Sequence, residues 1–428
     1  MGSGAAIEDV VLWQALDSRG NPTVAAQVRT GAGIGDALAP AGASAGSHEA
    51  IFIRDGEPGE YDGRSVRRHL ARVQERVRDA LVGVDAADPA AIDAAIRGLD
   101  PDPQLRDVGG NVGTAVSIGA WLAAADAAGA EPWAWLSNLT GRPAQIPLPM
   151  VNIISGGAHA GAMIDIQDVL VVPIGARTFA EAIEWCWRVR AGTRAVLDDQ
   201  GFTTALIADE GGLAAAFEAD ERAIEAVVAG IERAGLLPGT EVAIALDVAA
   251  TECQEPGGYR MLGSVVDSDA FVDRVIRWRS AYPIVSIEDG AGEDDEAGWS
   301  RLALLCEGTQ VLGDDRYVTT VSRMRDGIAR REANAVLVKP NQAGTLGQAL
   351  QVVEQALDAG WAPVVSARSG ETEETWLADL ATGSGAGQIK VGSTMRSERT
   401  AKWNRLLYLE QAHGLPYAGA AALAPRGR

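Results

Sequence analysis

Lysine is nearly absent from this chain. Of its 37 basic residues only Lys339, Lys390 and Lys402 are lysines, and every other one is arginine. Arginine cannot give up its proton in a protein whereas a desolvated ammonium can, so a lysine amid such bias points to a place where arginine would not serve. Chance placement of a rare residue is the plain alternative. Cysteine is equally scarce. Cys186, Cys253 and Cys306 lie scattered without metal-like spacing, which fits reduced, buried thiols better than a disulfide framework. No run of 18 apolar residues occurs, so no membrane-spanning helix is expected. Basic runs are missing too, and a formal charge of -21 argues against nucleic acid or an anionic membrane as a partner. The opening MGSGAAIEDVVLW lacks a basic segment followed by an apolar run, so no signal peptide is expected and the cytoplasm is the expected location.

Short apolar runs ending in an ionisable residue recur through the remainder. They are TTALIADEGG (203–212), VAIALDVAA (242–250), PIVSIEDG (283–290), VLGDD (311–315), AVLVKPN (335–341), PVVSARSG (363–370) and GQIKVG (387–392). Read as strands, they end at Glu210, Asp247, Glu288, Asp314, Lys339, Arg368 and Lys390, and helical segments such as 218–234 and 346–359 separate most of them. This alternation is the rhythm of a closed parallel barrel of the α/β class, whose active site gathers at the carboxyl ends of its strands.

A barrel of about 250 residues leaves room for one further domain in a chain of 428. The expected division is 1–140 and 141–428, with GRPAQIPLP (141–149) as the linker, because its three prolines cannot sit inside a helix or a central strand. The first part reads as strand, SRGNP turn and strand over 7–28, a third strand near 35–38, and helices at 65–82, 91–99 and 113–128. Between strands and helices lies APAGASAGSHEA (39–50), small residues around Ser44 that read either as a surface connection or as a loop able to approach an anion or metal. Past the linker, residues 150–176 give a strand, a glycine-rich loop with His159, and a second strand interrupted by Asp165, Gln167 and Asp168. Alternation from Ile164 turns Asp168 inward. A helix is expected over 179–198, and the acidic EDDE (293–296) reads as a solvated loop.

Asp247, Glu288 and Asp314 would converge from three neighbouring strand tips. Three carboxylates in one pocket repel unless neutralised, and an oxygen-only set suits a hard cation such as Mg²⁺; salt bridges to arginines are the simpler alternative. Beside such a cation the ammonium form of Lys339 is disfavoured, which makes it a candidate general base toward a carbon proton next to a carboxylate. Lys390 would hold that carboxylate, Arg368 with Ser369 offers a grip on a phosphate, and Glu210 is a candidate acid for a departing hydroxyl. Together they describe metal-assisted elimination from a small phosphorylated hydroxy acid.

These motifs resemble the enolase family over nearly the whole chain: SRGNPTV, HEA with RDG, NIISGGAHA, DEGG, ALDVAA, YPIVSIED, NQAGTL, RSGETEE, GQIK and RSERTAKWNRLL. The resemblance implies an amino-terminal α+β domain, a modified (β/α)8 TIM barrel whose first strands depart from regular order, a homodimer, and two Mg²⁺ per site. It implies Asp247, Glu288 and Asp314 as ligands of one ion, Ser44 as a loop residue helping to hold the second, Lys339 as base and Glu210 as acid. It further implies Lys390, Arg368, Ser369, His159 and Gln167 as substrate contacts, with Asp168 at a catalytic carboxylate position.

Two departures stand out. The family's SHRSG is SARSG here, with Ala367 for histidine, and the glutamate of its QEF is Asp168. Both fall, by resemblance, on the side that handles the leaving hydroxyl. The expectation is therefore an enzyme that still recognises 2-phosphoglycerate or its enolic product but has altered later chemistry. Among enolase relatives, carboxyphosphonoenolpyruvate synthase fits best, with a nucleotide-activated phosphonoformate as second substrate. An ordinary phosphopyruvate hydratase, or a catalytically idle relative serving in structure or binding, are the alternatives.

Overall fold

The computed structural model describes residues 4–42, 46–161, 163–261 and 263–423. The chain opens with an antiparallel meander of β1 (Ile7–Leu16), β2 (Pro22–Thr30) and β3 (Ile34–Leu38). Four helices follow; α1 (Arg67–Leu81), α2 (Pro89–Leu99) and α3 (Gly110–Ala127) lie within a turn of where the periodicity places them, and α4 (Pro132–Thr140) is one it did not indicate. Helix α1 buries Leu70, Val73, Val77 and Leu81, a single apolar stripe. Helix α2 starts on a proline behind Asp88, whose Oδ1 accepts the Ala90 and Ala91 amides at 3.0 Å. Helix α3 is apolar on every side and buried along most of its length, as a helix covered on both faces must be. Its close crossing over β3 requires Gly35, where a Cβ would stand 2.1 Å from the Gly119 carbonyl oxygen.

The remaining strands are β4 (Leu148–Ser155), β5 (Asp168–Val172), β6 (Leu213–Ala214), β7 (Ala243–Asp247), β8 (Gln254–Glu255), β9 (Gly258–Met261), β10 (Ser264–Val266), β11 (Ile284–Glu288), β12 (Gln310–Gly313), β13 (Ala335–Val338), β14 (Ala362–Ser366) and β15 (Gln388–Gly392). Eight of them close a barrel in the order β4-β5-β7-β11-β12-β13-β14-β15, with β15 pairing back to β4. Its strands are buried at almost every position because side chains fill the inside, Leu148, Leu170, Leu312 and Leu337 among them, while helices cover the outside. The short β8, β9 and β10 form a separate antiparallel sheet.

The structure corrects five readings of the residues. The barrel is not all parallel: β5 pairs antiparallel with both β4 and β7, the irregularity the resemblance implies. Regular pairing begins only at Asp168, so 164–167 are bends, yet Asp168 is fully buried. No strand precedes Glu210. Thr204 instead donates to the Asp198 carboxylate at the end of the preceding helix, Leu206 is exposed, and a turn at 208–211 leaves one isolated bridge, Ile207 to Leu213. Pro149 lies inside β4, tolerated because the ladder with β5 starts two residues later at Val151. The EDDE patch is not simply solvated, since Asp295 accepts hydrogen bonds from Tyr259, Ser268 and the Gly298 amide, and Glu293 accepts one from Ser47.

The amino-terminal part sits on the barrel mouth. Ala41 and Gly370 exchange backbone hydrogen bonds at 2.8 Å, Leu38 donates to Glu374 at 2.7 Å, and Ala50 donates to the Gln342 carbonyl at 2.9 Å. These contacts bring 46–50 over the strand tips. The three cysteines are buried free thiols, and among the described residues no single helix is long and apolar enough to cross a membrane.

Candidate active site

The strand tips enclose a cleft of about 580 Å³ lined by Glu210, Asp247, Asp314, Lys339, Arg368 and Lys390, among others. Register explains the convergence. Asp247 ends β7 directly beside Glu288 at the end of β11, Glu288 lies opposite Leu312 of β12, and Asp314 follows one residue past that strand. Lys390 reaches across from β15 and donates at 2.7 Å to both Asp247 Oδ2 and Glu288 Oε2. Lys339, just past β13, donates to Asp314 Oδ2, and Gln342 donates to Asp314 Oδ1 at 2.8 Å. Each buried charge thus has an opposite partner, without which its desolvation would be costly.

The electrostatics follow from that pairing. Burial alone would lower the pKa of either lysine; Asp247 and Glu288 outweigh it at Lys390, and Asp314 does so at Lys339, so both are held as ammonium. For Lys339 this is the reverse of the neutral base expected beside a cation. Burial also pushes Glu288 well up, with Asp247 adding to it, whereas at Asp314 burial is outweighed by Lys339 and the carboxyl falls below its usual range.

The facing wall is built differently. Because β5 runs backwards, its first residue Asp168 stands level with Ser155 and Asp247, the last residues of its neighbours. Asp168 Oδ1 accepts from Asn152 and Oδ2 lies 3.0 Å from His159 Nδ1, while His159 Nε2 is 3.9 Å from Glu210 Oε1. Burial would lower His159, but Asp168 and Glu210 overcome it and raise the imidazole to about 9. Burial raises Asp168, and at Glu210 it is outweighed by His159, leaving that carboxyl lowered. Glu210 owes its place to its turn: the Ser393 amide donates to its carbonyl at 2.8 Å beside Gly392, whose φ of +116° brings the chain close. Gln167 donates to Asp247 Oδ2 at 3.0 Å.

Arg368 and Ser369 follow β14, and the Arg399 guanidinium fixes both by donating to their carbonyls at 2.7 and 2.5 Å. Burial, which lowers an arginine, is outweighed at Arg368 by Glu49, which accepts from its Nη1 at 2.9 Å. Ala367 presents a methyl to the cleft where a histidine was expected. Ser44 lies outside the described residues.

Sequence patterns missed Glu49, Gln342, Asn152 and Asp289, each of which supports another functional candidate from outside the expected strand tips or from within a strand. Asp289 takes φ 43°, a left-handed conformation that is strained for a non-glycine residue, and accepts the Asp314 and Asp315 amides at 3.0 and 2.7 Å. Its position next to Glu288 was the one available signal.

Among the described residues two groups bring three ligand atoms close enough together to share a cation. Ligand atoms of Asp289, Asp314 and Asp315 lie within 4.8 Å of one another, as do those of His159, Asp168 and Glu210. In the first, Asp289 is committed to backbone amides; in the second, Asp168 is committed to Asn152 and His159. Asp247, Glu288 and Asp314, the set expected to hold Mg²⁺, are not among these groups: Lys390 holds the first two, Lys339 and Gln342 hold the third, and their ligand atoms do not all come within 4.8 Å of one another. The set is all oxygen, and among the described residues Glu288 Oε1 is buried with no hydrogen-bond partner, the one feature here that suits a hard divalent ion.

Comparison with known families agrees with this architecture. The family model for the enolase N-terminal domain matches residues 7–136, and that for the enolase C-terminal TIM barrel domain matches residues 143–425. The chain therefore belongs to the enolase family of enzymes.

Proposed function

We propose that this enzyme abstracts the C2 proton of 2-phosphoglycerate with Lys339. Asp247, Glu288 and Asp314 would hold Mg²⁺, with Ser44 contributing to a second ion. Bound there, Mg²⁺ supplies the positive charge that makes a carbon acid beside a carboxylate ionisable. Lys390 would then turn from Asp247 and Glu288 to the substrate carboxylate, and Lys339, released from Asp314, would give its extra proton to solvent and take the C2 proton as the neutral amine. Arg368 and Ser369 take the phosphate, while Gln167 and His159 border the substrate. Glu210 stands on the opposite wall toward the hydroxyl; because His159 lowers its carboxyl, it would first have to take up a proton before donating one to the leaving group. The observation that carries this reading is the interleaving of two of the chain's three lysines with three strand-tip acids in one buried cleft.

Within that chemistry we favour a specialised role as a carboxyphosphonoenolpyruvate synthase of phosphinate natural-product biosynthesis, which joins an activated phosphonoformate to an enolpyruvyl unit. Two observations favour altered later steps. Ala367 lines the cleft with only a methyl, and Asp168 is held by Asn152 and His159. An ordinary hydratase is favoured instead by Glu210, which still lines the cleft. The test is exchange of the C2 proton of 2-phosphoglycerate in deuterated solvent with Mg²⁺, followed by product analysis with and without the activated phosphonoformate. Absence of exchange favours an idle relative, and brisk phosphoenolpyruvate formation indifferent to the second compound rules out the synthase.

A further inference from the structure

The guanidinium proposed to grip the phosphate is already gripped. Glu49 Oε2 accepts from Arg368 Nη1 at 2.9 Å and Glu49 Oε1 from Nη2 at 3.4 Å, so a carboxylate takes the forked contact a phosphoryl group would use. The pair is buried, with side-chain exposures of 6% for Arg368 and 7% for Glu49. Glu49 differs from the other acids of the mouth. Asp247, Glu288 and Asp314 are the acids proposed to take a cation, which would release their lysines. Glu49 has no such exchange among the described residues, where its further side-chain contacts are the Gly46 amide at 3.0 Å and Gln342 Nε2 at 3.3 Å. An incoming oxyanion must therefore share the fork with Glu49 or displace it.

Room for displacement exists. A second chamber of about 810 Å³ shares Gly42, Glu49 and Arg368 with the catalytic cleft, so the ion pair is part of the partition between them. The chamber is lined on its other side by Arg54 and Asn341. Arg54 donates to the Pro22 and Arg64 carbonyls and lies over the Phe52 ring, and Asn341 is nine-tenths buried with its Oδ1 lacking a hydrogen-bond partner.

We propose that Glu49 is an internal stand-in for the substrate phosphate, a specificity-determining residue that holds Arg368 in position and yields to a phosphoryl dianion by moving toward this chamber. A monoanionic group offers Arg368 little that Glu49 does not, whereas a dianion offers more, so the exchange selects for phosphate. It also couples phosphate binding to the 46–49 segment, because Glu49 leaves the Gly46 amide as it leaves Arg368. The proposal rests on the assignment of Arg368 to the phosphate.

The test titrates inorganic phosphate into metal-free full-length protein by calorimetry, comparing wild type with Glu49→Gln. Removing the carboxylate empties the fork and takes away the largest opposing charge on a buried guanidinium, so phosphate affinity is expected to rise about tenfold and phosphate to raise the variant's melting temperature more than the wild type's. Equal or weaker binding by Glu49→Gln overturns the proposal, since it would mean that Glu49 orients the fork rather than occupying it. If that variant does not fold, Glu49→Asp, one methylene shorter, is expected to bind phosphate severalfold tighter, and unchanged affinity counts against the idea. Adding Arg368→Met to either variant should abolish the gain; a gain that persists places the phosphate elsewhere and also overturns it. These titrations contain neither metal nor 2-phosphoglycerate, so their outcome and that of the proton-exchange assay are independent.

Discussion

On one wall of the barrel mouth Asp247, Glu288 and Asp314 meet two lysines; on the other Asp168 and Glu210 meet a histidine. Both walls bury charge and both neutralise it, but with cations of different kinds. A lysine carries its charge on a flexible stem and can leave an acid when a harder cation arrives. His159 is bonded to the Asp168 carboxylate, which is itself held by Asn152, and it loses its charge only as the pH rises through about 9. The first wall is thus built for exchange of partners, the second for a fixed proton. Of the departures from the family pattern, Asp168 belongs to the second wall, while Ala367 lines the cleft with its amide on the Lys390 carbonyl.

Breaking the first wall is expected to have the largest effect. Lys339→Ala should lower the rate of C2 proton exchange by about 10²–10⁴-fold, the usual range for loss of a general base, with the circular dichroism spectrum unchanged. Next, Glu288→Gln removes the carboxylate with the orphaned oxygen and should weaken Mg²⁺ binding, measured calorimetrically, by about 100-fold or more. A variant that binds Mg²⁺ as well as wild type would place the ion outside the three-acid set.

The second wall gives a subtler signature. In the folded protein His159 titrates at about 9, above its ordinary value of about 6.5. Its charge therefore contributes stability fully present below about pH 6.5 and lost as the pH rises through about 9. Asp168→Asn should return the imidazole toward its ordinary range, followed by proton NMR, and flatten this part of the stability profile. The smallest effect lies away from the cleft. Burial raises Glu374 to about 7, against hydrogen bonds from Leu38 and Trp376, so the folded state binds its proton more tightly than the unfolded chain does. Its contribution to stability should then be full below about pH 4.5 and lost as the pH rises through about 7, and this part of the profile should disappear in Glu374→Gln, as read by urea midpoints.

Much of the barrel and of the first wall was legible in sequence because strand tips leave a linear signature: an apolar run, then a charge. The scarcity of lysine was a second clue, and it singled out Lys339 and Lys390. Lys402 obeys the same compositional logic yet is buried in a helix, pairing with Glu371 and the Thr372 carbonyl, so rarity alone does not mark a site. Glu210 was found through a strand that does not exist; its DEGG turn is docked by backbone contacts from 392–395 that no local pattern reveals. Glu49 and Gln342 were invisible for a related reason. Their importance comes from the amino-terminal part folding over the barrel, which brings together residues 293 positions apart. The reversal of β5 was equally hidden, since strand direction leaves no trace in an apolar run.

The scarcity of lysine also makes the central claim directly measurable. Selective ¹⁵N labelling of lysine side chains yields three Nζ signals, of which Lys402, bound to Glu371, serves as the internal reference. If the strand-tip acids exchange their ammonium partners for a metal, saturating Mg²⁺ should shift the signals of Lys339 and Lys390 and leave that of Lys402 in place. Signals of Lys339 and Lys390 unmoved by Mg²⁺ would contradict the account.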